Sequence, residues 1–161
     1  LDPLSGELLG VRAQSVGRAQ VKTVNRDIST LGALYAEGEI RAKDRLLGYE
    51  DSLLPSIFYP RAPDRQIDAV VISVEGGVRN AVALDVVAVN RGDRDGLRAG
   101  DTLAIYKTGE IVKDQVTKQQ VRLPDERIGL LMVFRTYQKM SYGLVLVADR
   151  QLDLGDLARN P

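Results

Sequence analysis

The stretch GDRDGLRAGDTLAIYKTG, residues 92–109, carries four Gly and three Asp around a short apolar run. Carboxylates at that density suggest oxygen ligands for a divalent cation, and glycines at that density suggest a backbone cradle for phosphate. The calcium reading fails on spacing. Counting from Asp93, Leu97 occupies the fifth loop position and Arg98 stands where an EF-hand needs Gly for its sharp turn. The chain also lacks the Gly-rich P-loop and dinucleotide fingerprints that place phosphate at a helix N-terminus. Neither a metal nor a cofactor is expected. The residues instead predict structural turns. Asp95 caps a single helical turn over 96–99 that begins at Gly96, Gly100 supplies a positive φ, and Asp101 bonds back to turn amides ahead of a strand at 102–106. Gly155 and Asp156 form a second Gly-Asp turn near the C-terminus.

Other chemistry is narrowed by residue type. With no Cys and no His, thiol catalysis, disulfides, the usual zinc sites and imidazole acid-base work are excluded. A Ser-Lys dyad or a carboxylate pair remains. Lys139 and Ser141 are neighbours, but they fall in an expected hairpin turn where both are ordinary solvated residues. Asp125 and Glu126 are adjacent, and on an extended chain their side chains point apart. No catalytic residue is assigned, and the chain reads as a non-enzyme. Its 22 basic and 22 acidic side chains cancel, so no bulk field draws it to nucleic acid or anionic lipid, although RAPDR at 61–65 is a local arginine patch. Among the aromatics, Tyr106 and Phe134 lie in apolar strands and are expected in the core. Tyr49, Phe58 and Tyr59 flank a proline-rich segment and form the candidate interaction surface, suited to a protein contact more than to a glycan.

The elements that position these residues are β. DAVVISVEGG (68–77), AVALDVVAVNRG (81–92), DTLAIYKTG (101–109) and the runs at 128–137 and 141–148 are rich in Val, Ile, Leu and Tyr and bounded by turn formers. The last two runs meet across QKMS as a hairpin. In residues 7–24, Gly10 and Gly17 each cost a helix about 1 kcal/mol, and alternation at Ala19, Val21 and Thr23 favours strands. Short helical turns are expected only near Gly96 and within 29–40. No apolar run reaches the roughly 20 residues of a membrane span.

Asp44, Asp101 and Asp156 recur in KDRLL, GDTLA and GDLAR, each after an apolar-alternating stretch. DPLSGELLGVRA (2–13) also aligns with residues 114–133. These repeats divide the chain into a first β unit at 1–54, truncated at its N-terminal side, a Pro-rich crossing segment at 55–67, and a second β unit at 68–161. The expected fold is all-β, two pseudo-repeated units in one barrel-like or sandwich-like domain.

Two resemblances follow from quoted residues. VVAVNRGDRDGLRAGDTLAIYKTGEIV resembles the strand, Gly-Leu-x-x-Gly-Asp turn and second strand of PDZ domains, which would imply binding of a peptide C-terminus as an added strand. Downstream, where such a domain has its groove helix, this chain has the Pro124-interrupted VKDQVTKQQVRLPDERIG. A broader resemblance rests on DPLSGELLG, RLL at 45–47, NRGDRDGLRAGDTLAIYKTGE, LPDERIGLLMVFRTYQKMSYGLVL and LGDLARNP. Together these are similar to the C-terminal region of bacterial envelope proteins that carry an N-terminal LysM, peptidoglycan-binding domain. That resemblance implies a periplasmic location, wall attachment through an upstream module, and a partner in the envelope. It transfers no glycan-contacting residue. Opening at LDPLSGELLG without Met or signal peptide, the chain reads as a fragment or processed product.

Overall fold

The computed structural model describes residues 1–11, 13–48, 57–77, 80–116 and 118–161. They fall into two compact units, Leu1–Gly10 with Leu53–Pro161, and Val11–Ser52.

The smaller unit is a hairpin of β1 (Gly17–Asn25) and β2 (Ile28–Ala36), antiparallel, with a register shift in each half. Alternation at Ala19, Val21 and Thr23 is therefore a strand, and so is most of 29–40, where a helical turn was expected. Ser29, Thr30 and Leu31 pair with Val24, Thr23 and Val21 across the hairpin, so cross-strand bonding takes the backbone that a turn would have used.

The larger unit holds the remaining strands: β3 (Asp68–Val74), β4 (Asn80–Ala81), β5 (Val86–Val89), β6 (Thr102–Lys107), β7 (Ile111–Lys113), β8 (Gln120–Arg122), β9 (Glu126–Thr136), β10 (Ser141–Ala148), β11 (Leu152–Asp153) and β12 (Leu157–Arg159). Six of them close into an antiparallel barrel in the order β10-β5-β3-β12-β6-β9. Closure leaves no free edge among these six, which removes the aggregation liability of an open sheet. β4 pairs with β11, and β7 with β8, as two small separate ladders. The expected all-β class is thus the architecture, a barrel where the sequence left barrel and sandwich open, and the only helical turns among the described residues are Glu75–Gly77 and Asp93–Asp95.

Inward positions of the six strands supply the core. Val71, Val87, Val89, Leu103, Ile105, Leu131, Val133, Val145 and Ala158 are all buried in one cluster, capped by Ile67, Leu97 and Leu152. Each Val, Leu or Ile so buried contributes roughly 1.5–3 kcal/mol. Tyr106 and Phe134, expected in this core, are only half-buried. Each stands beside a fully buried neighbour, Ile105 and Val133, so the pleat turns the aromatic toward the outer face.

Candidate interaction surface

One turn, with a positive φ just before its closing Asp, recurs at four places among the described residues. In 41–44, 82–85, 98–101 and 153–156 an Asp closes the turn twice, its N–H donating to the carbonyl three residues back and its Oδ2 accepting that residue's N–H. The side-chain bonds span 2.8–2.9 Å. The residue before each Asp has positive φ: Lys43 at 84°, Leu84 at 74°, and Gly100 and Gly155 at 96°. A type II turn demands that conformation, which is why Gly precedes Asp101 and Asp156. Lys43 takes it too, so Asp44 closes the same turn as its Gly-led counterparts.

The turn at 98–101 is the one that builds a surface. Its Asp101 is fully buried. Gly100 N–H donates to Val133 O and Val133 N–H to Asp101 O, both at 2.7 Å, fixing the turn to β9. On the other side the incoming chain is pinned. Arg61 N–H donates to Gly100 O (3.0 Å), Thr102 N–H donates to Arg61 O (2.8 Å), and Thr102 Oγ1 donates to the same carbonyl (3.0 Å). Arg61 Nε donates to Asp101 Oδ1 at 2.8 Å. Gly100 lies so close that a Cβ there would stand 2.9 Å from Tyr59 O. Residues 59–61 are therefore held as a short rail along the barrel rim. On that rail Tyr59 is 80% exposed, and just before it Phe58 is half-buried and Ile57 68% exposed. Tyr49 lies outside the described residues. The Arg61 side chain remains partly exposed beside Tyr59, and Arg98 pairs with Asp64 at 3.3 Å on the next stretch of rim.

The other turn residues fall close to their expected roles, with one shift. The helical turn is Asp93–Asp95 rather than 96–99. Asp95 ends it, its Oδ2 accepting Gly92 N–H at 2.9 Å, and Gly96 follows in the left-handed region with φ 97°. The shift follows from Leu97, whose fully buried side chain takes the chain down into the core before a further helical turn can form. Asp156 sits largely buried, and burial pushes its carboxyl up. Lys107 Nζ lies 2.7 Å from Asp153 and 3.9 Å from Asp156, and the Asp153 bond raises its ammonium above the usual range.

Three groupings invite a chemical reading. Ser141 is not in a solvated turn: it opens β10, is fully buried, and donates to Arg91 O at 2.8 Å. Lys139 does lie in the turn and engages Glu7 at 2.7 Å and Leu8 O at 3.2 Å, so the two form no dyad. Asp125 and Glu126 diverge as extended neighbours should, Glu126 to Arg150 (2.9 Å) and Asp125 to Arg159 (3.0 Å). Asp125 also accepts Gly109 N–H, and these two bonds hold its carboxyl below the usual range. Sequence reasoning missed the third grouping, an open cleft of ≈ 660 Å³ lined in part by Gln66, Asp68, Tyr106, Asp125, Arg159 and Asn160. Arg159 lies over the Tyr106 ring (5.9 Å) and donates to both Asp68 and Asp125 at 3.0 Å. Its residues come from four separate stretches, so no local pattern announces it.

Asp95 and Asp101 of the 92–109 stretch are engaged by backbone amides and, for Asp101, an arginine, and among the described residues no group of acidic side chains has the geometry of a metal site. No helix among them is long and apolar enough to cross a membrane. Compared with known protein families and with characterised proteins, the chain matches no family model and no curated relative.

Proposed function

We propose that the chain is a non-catalytic interaction module of the cell envelope, the C-terminal part of a LysM-type wall-binding protein, and that it docks a protein partner through the rim at 57–61. The observation that carries the reading is the pinned rail itself. Tyr59, exposed two residues from the pinned Arg61, with exposed Ile57 preceding it, offers large amphipathic contact area beside a fixed stretch of backbone, which is how aromatic anchors dominate interfaces. The PDZ-like reading needs a groove between an open strand edge and a helix, whereas Val86–Val89 and Thr102–Lys107 each pair on both sides within the closed barrel. Periplasmic localisation and wall attachment rest on the resemblance to LysM-type proteins.

Co-sedimentation with purified peptidoglycan sacculi tests the division of labour. The intact parent is expected to pellet and the isolated chain to stay in the supernatant. Salt-insensitive pelleting of the isolated chain would replace the protein-partner reading with a glycan-binding one, and turnover of a sacculus fragment would end the non-catalytic claim.

A further inference from the structure

The N-terminal residues make contacts of an unusual kind. DPLSGE folds on itself: Asp2 N–H donates to Glu7 O (2.8 Å), Gly6 N–H to Asp2 O (2.9 Å), Leu4 N–H to Asp2 Oδ1 (3.1 Å), and Ser5 Oγ to Asp2 Oδ2 (2.8 Å). The loop is thus formed from its own groups. Among the described residues no backbone-to-backbone bond joins residues 1–10 to the barrel. Attachment runs through side chains instead. Asn90 Nδ2 donates to Asp2 Oδ1 at 2.9 Å, and Asn90 itself is fully buried and set by Val70 N–H. Arg94 grips Glu7 with both Nη atoms (3.0 and 2.7 Å), and Lys139 reaches Glu7 (2.7 Å) and Leu8 O. Leu9 is buried at the end of the loop.

This is how a ligand is held: a preorganised acidic loop, read by a buried amide and a bidentate guanidinium, with no ladder of strand bonds to break. The connection also matters. Residues 1–10 belong to the barrel unit, yet the chain reaches the barrel only through the whole of the separate unit Val11–Ser52. Exchange of an identical element between copies is a low-cost route to a dimer.

We propose that the face formed by Asn90, Arg94 and Lys139 is a docking groove for this acidic loop, filled by residues 2–8 of the same chain and open to the same loop of a second copy, so that two chains pair by reciprocal loop exchange.

Charge reversal tests it on the full chain. In Glu7→Arg the loop faces Arg94 and Lys139 with the wrong sign, and in Arg94→Glu the groove does. Each variant alone is expected to exchange the amides of Leu4, Gly6 and Glu7 or its replacement at least about tenfold faster than the parent. Mixing the two restores a matched loop and groove in both directions only between chains. The mixture should regain slow exchange and gain a species of twice the 17.6 kDa chain mass. No added mass and no regained protection on mixing would overturn the proposal, as would single variants whose loops exchange like the parent's. Should either reversal fail to fold, Glu7→Gln titrated with the synthetic peptide LDPLSGELLG decides the question. Saturable shifts of the Asn90 side-chain amide support the groove, and their absence at millimolar peptide refutes it.

Discussion

Two glycines with the same backbone separate the two demands made on the turn at the rim. Gly100 and Gly155 both have φ 96° and both precede the Asp that closes the turn. Around Gly155 nothing lies within 4 Å of a built Cβ, whereas at Gly100 the Cβ would stand 2.9 Å from the Tyr59 carbonyl oxygen. Gly155→Ala therefore meets only the left-handed strain of an L-residue, about 1–2 kcal/mol. Gly100→Ala meets the same strain and must also push the 59–61 rail outward. That displacement weakens the Arg61 N–H bond to Gly100 O and the Thr102 N–H bond to Arg61 O. At about 0.5–1.5 kcal/mol net for each backbone bond, the additional loss is about 1–2 kcal/mol. Urea denaturation of both variants reads the difference. With a slope of about 2 kcal/mol per molar, Gly100→Ala should unfold at a midpoint lower by about 0.5–1 M than Gly155→Ala. Hydrogen exchange should also quicken at the Arg61 and Thr102 amides in the first variant and not in the second. Equal midpoints with unchanged exchange at those amides would show that the rail is not held by this turn.

Leu84 occupies the position that Gly holds in two sister turns, with φ 74° and its side chain 76% exposed, so Leu84→Gly should relieve strain and leave stability unchanged or raise it by up to about 1 kcal/mol in thermal unfolding. Asp101→Ala strips partners from Arg61 Nε and Arg98 N–H at a fully buried site and should cost about 2 kcal/mol in chemical denaturation, Arg61 being half in solvent and able to rehydrate. Asn160 Oδ1 accepts Ile67 N–H and its Nδ2 donates to Arg65 O, so Asn160→Ala should cost about 1–2 kcal/mol and speed exchange at Ile67. The Glu7 carboxyl is held down to about 2 by the Arg94 bond and then by Lys139, and that of Asp2 is lowered by its bond from Asn90. Both are lower folded than unfolded, so their hold on the N-terminal loop is complete above the ordinary Glu value of 4.5 and fades as pH falls toward 2. Exchange of the loop amides measured at the two ends of that window should rise, relative to intrinsic rates, only at the acid end.

Local signals were readable and long-range ones were not. The Val- and Ile-rich runs became β3, β5 and β6, and the hairpin across QKMS became β9 and β10, because β-branched residues between turn formers leave the backbone little choice. The Gly-Asp turns were readable at 100–101 and 155–156, where Gly itself marks the positive φ, and invisible at 82–85, where Leu84 occupies that position. Barrel closure depends on β12, three residues pairing with β3 on one side and β6 on the other, and three residues carry no periodicity. The burial of Ser141 and the cleft around Arg159 likewise follow from which strands meet. Tyr59 was legible as a candidate from its place beside prolines, but the pinning of the chain next to it comes from Arg61 and Gly100, about forty residues apart along the chain.

The central claim, that the 57–61 rim is the docking surface, is tested most directly by site-specific photocrosslinking in the envelope fraction. A benzophenone amino acid replaces Tyr59 in one chain and the equally exposed Val116 in another. The account predicts one discrete protein adduct from position 59 and none from position 116. The same adducts from both positions, or none from position 59, would contradict it.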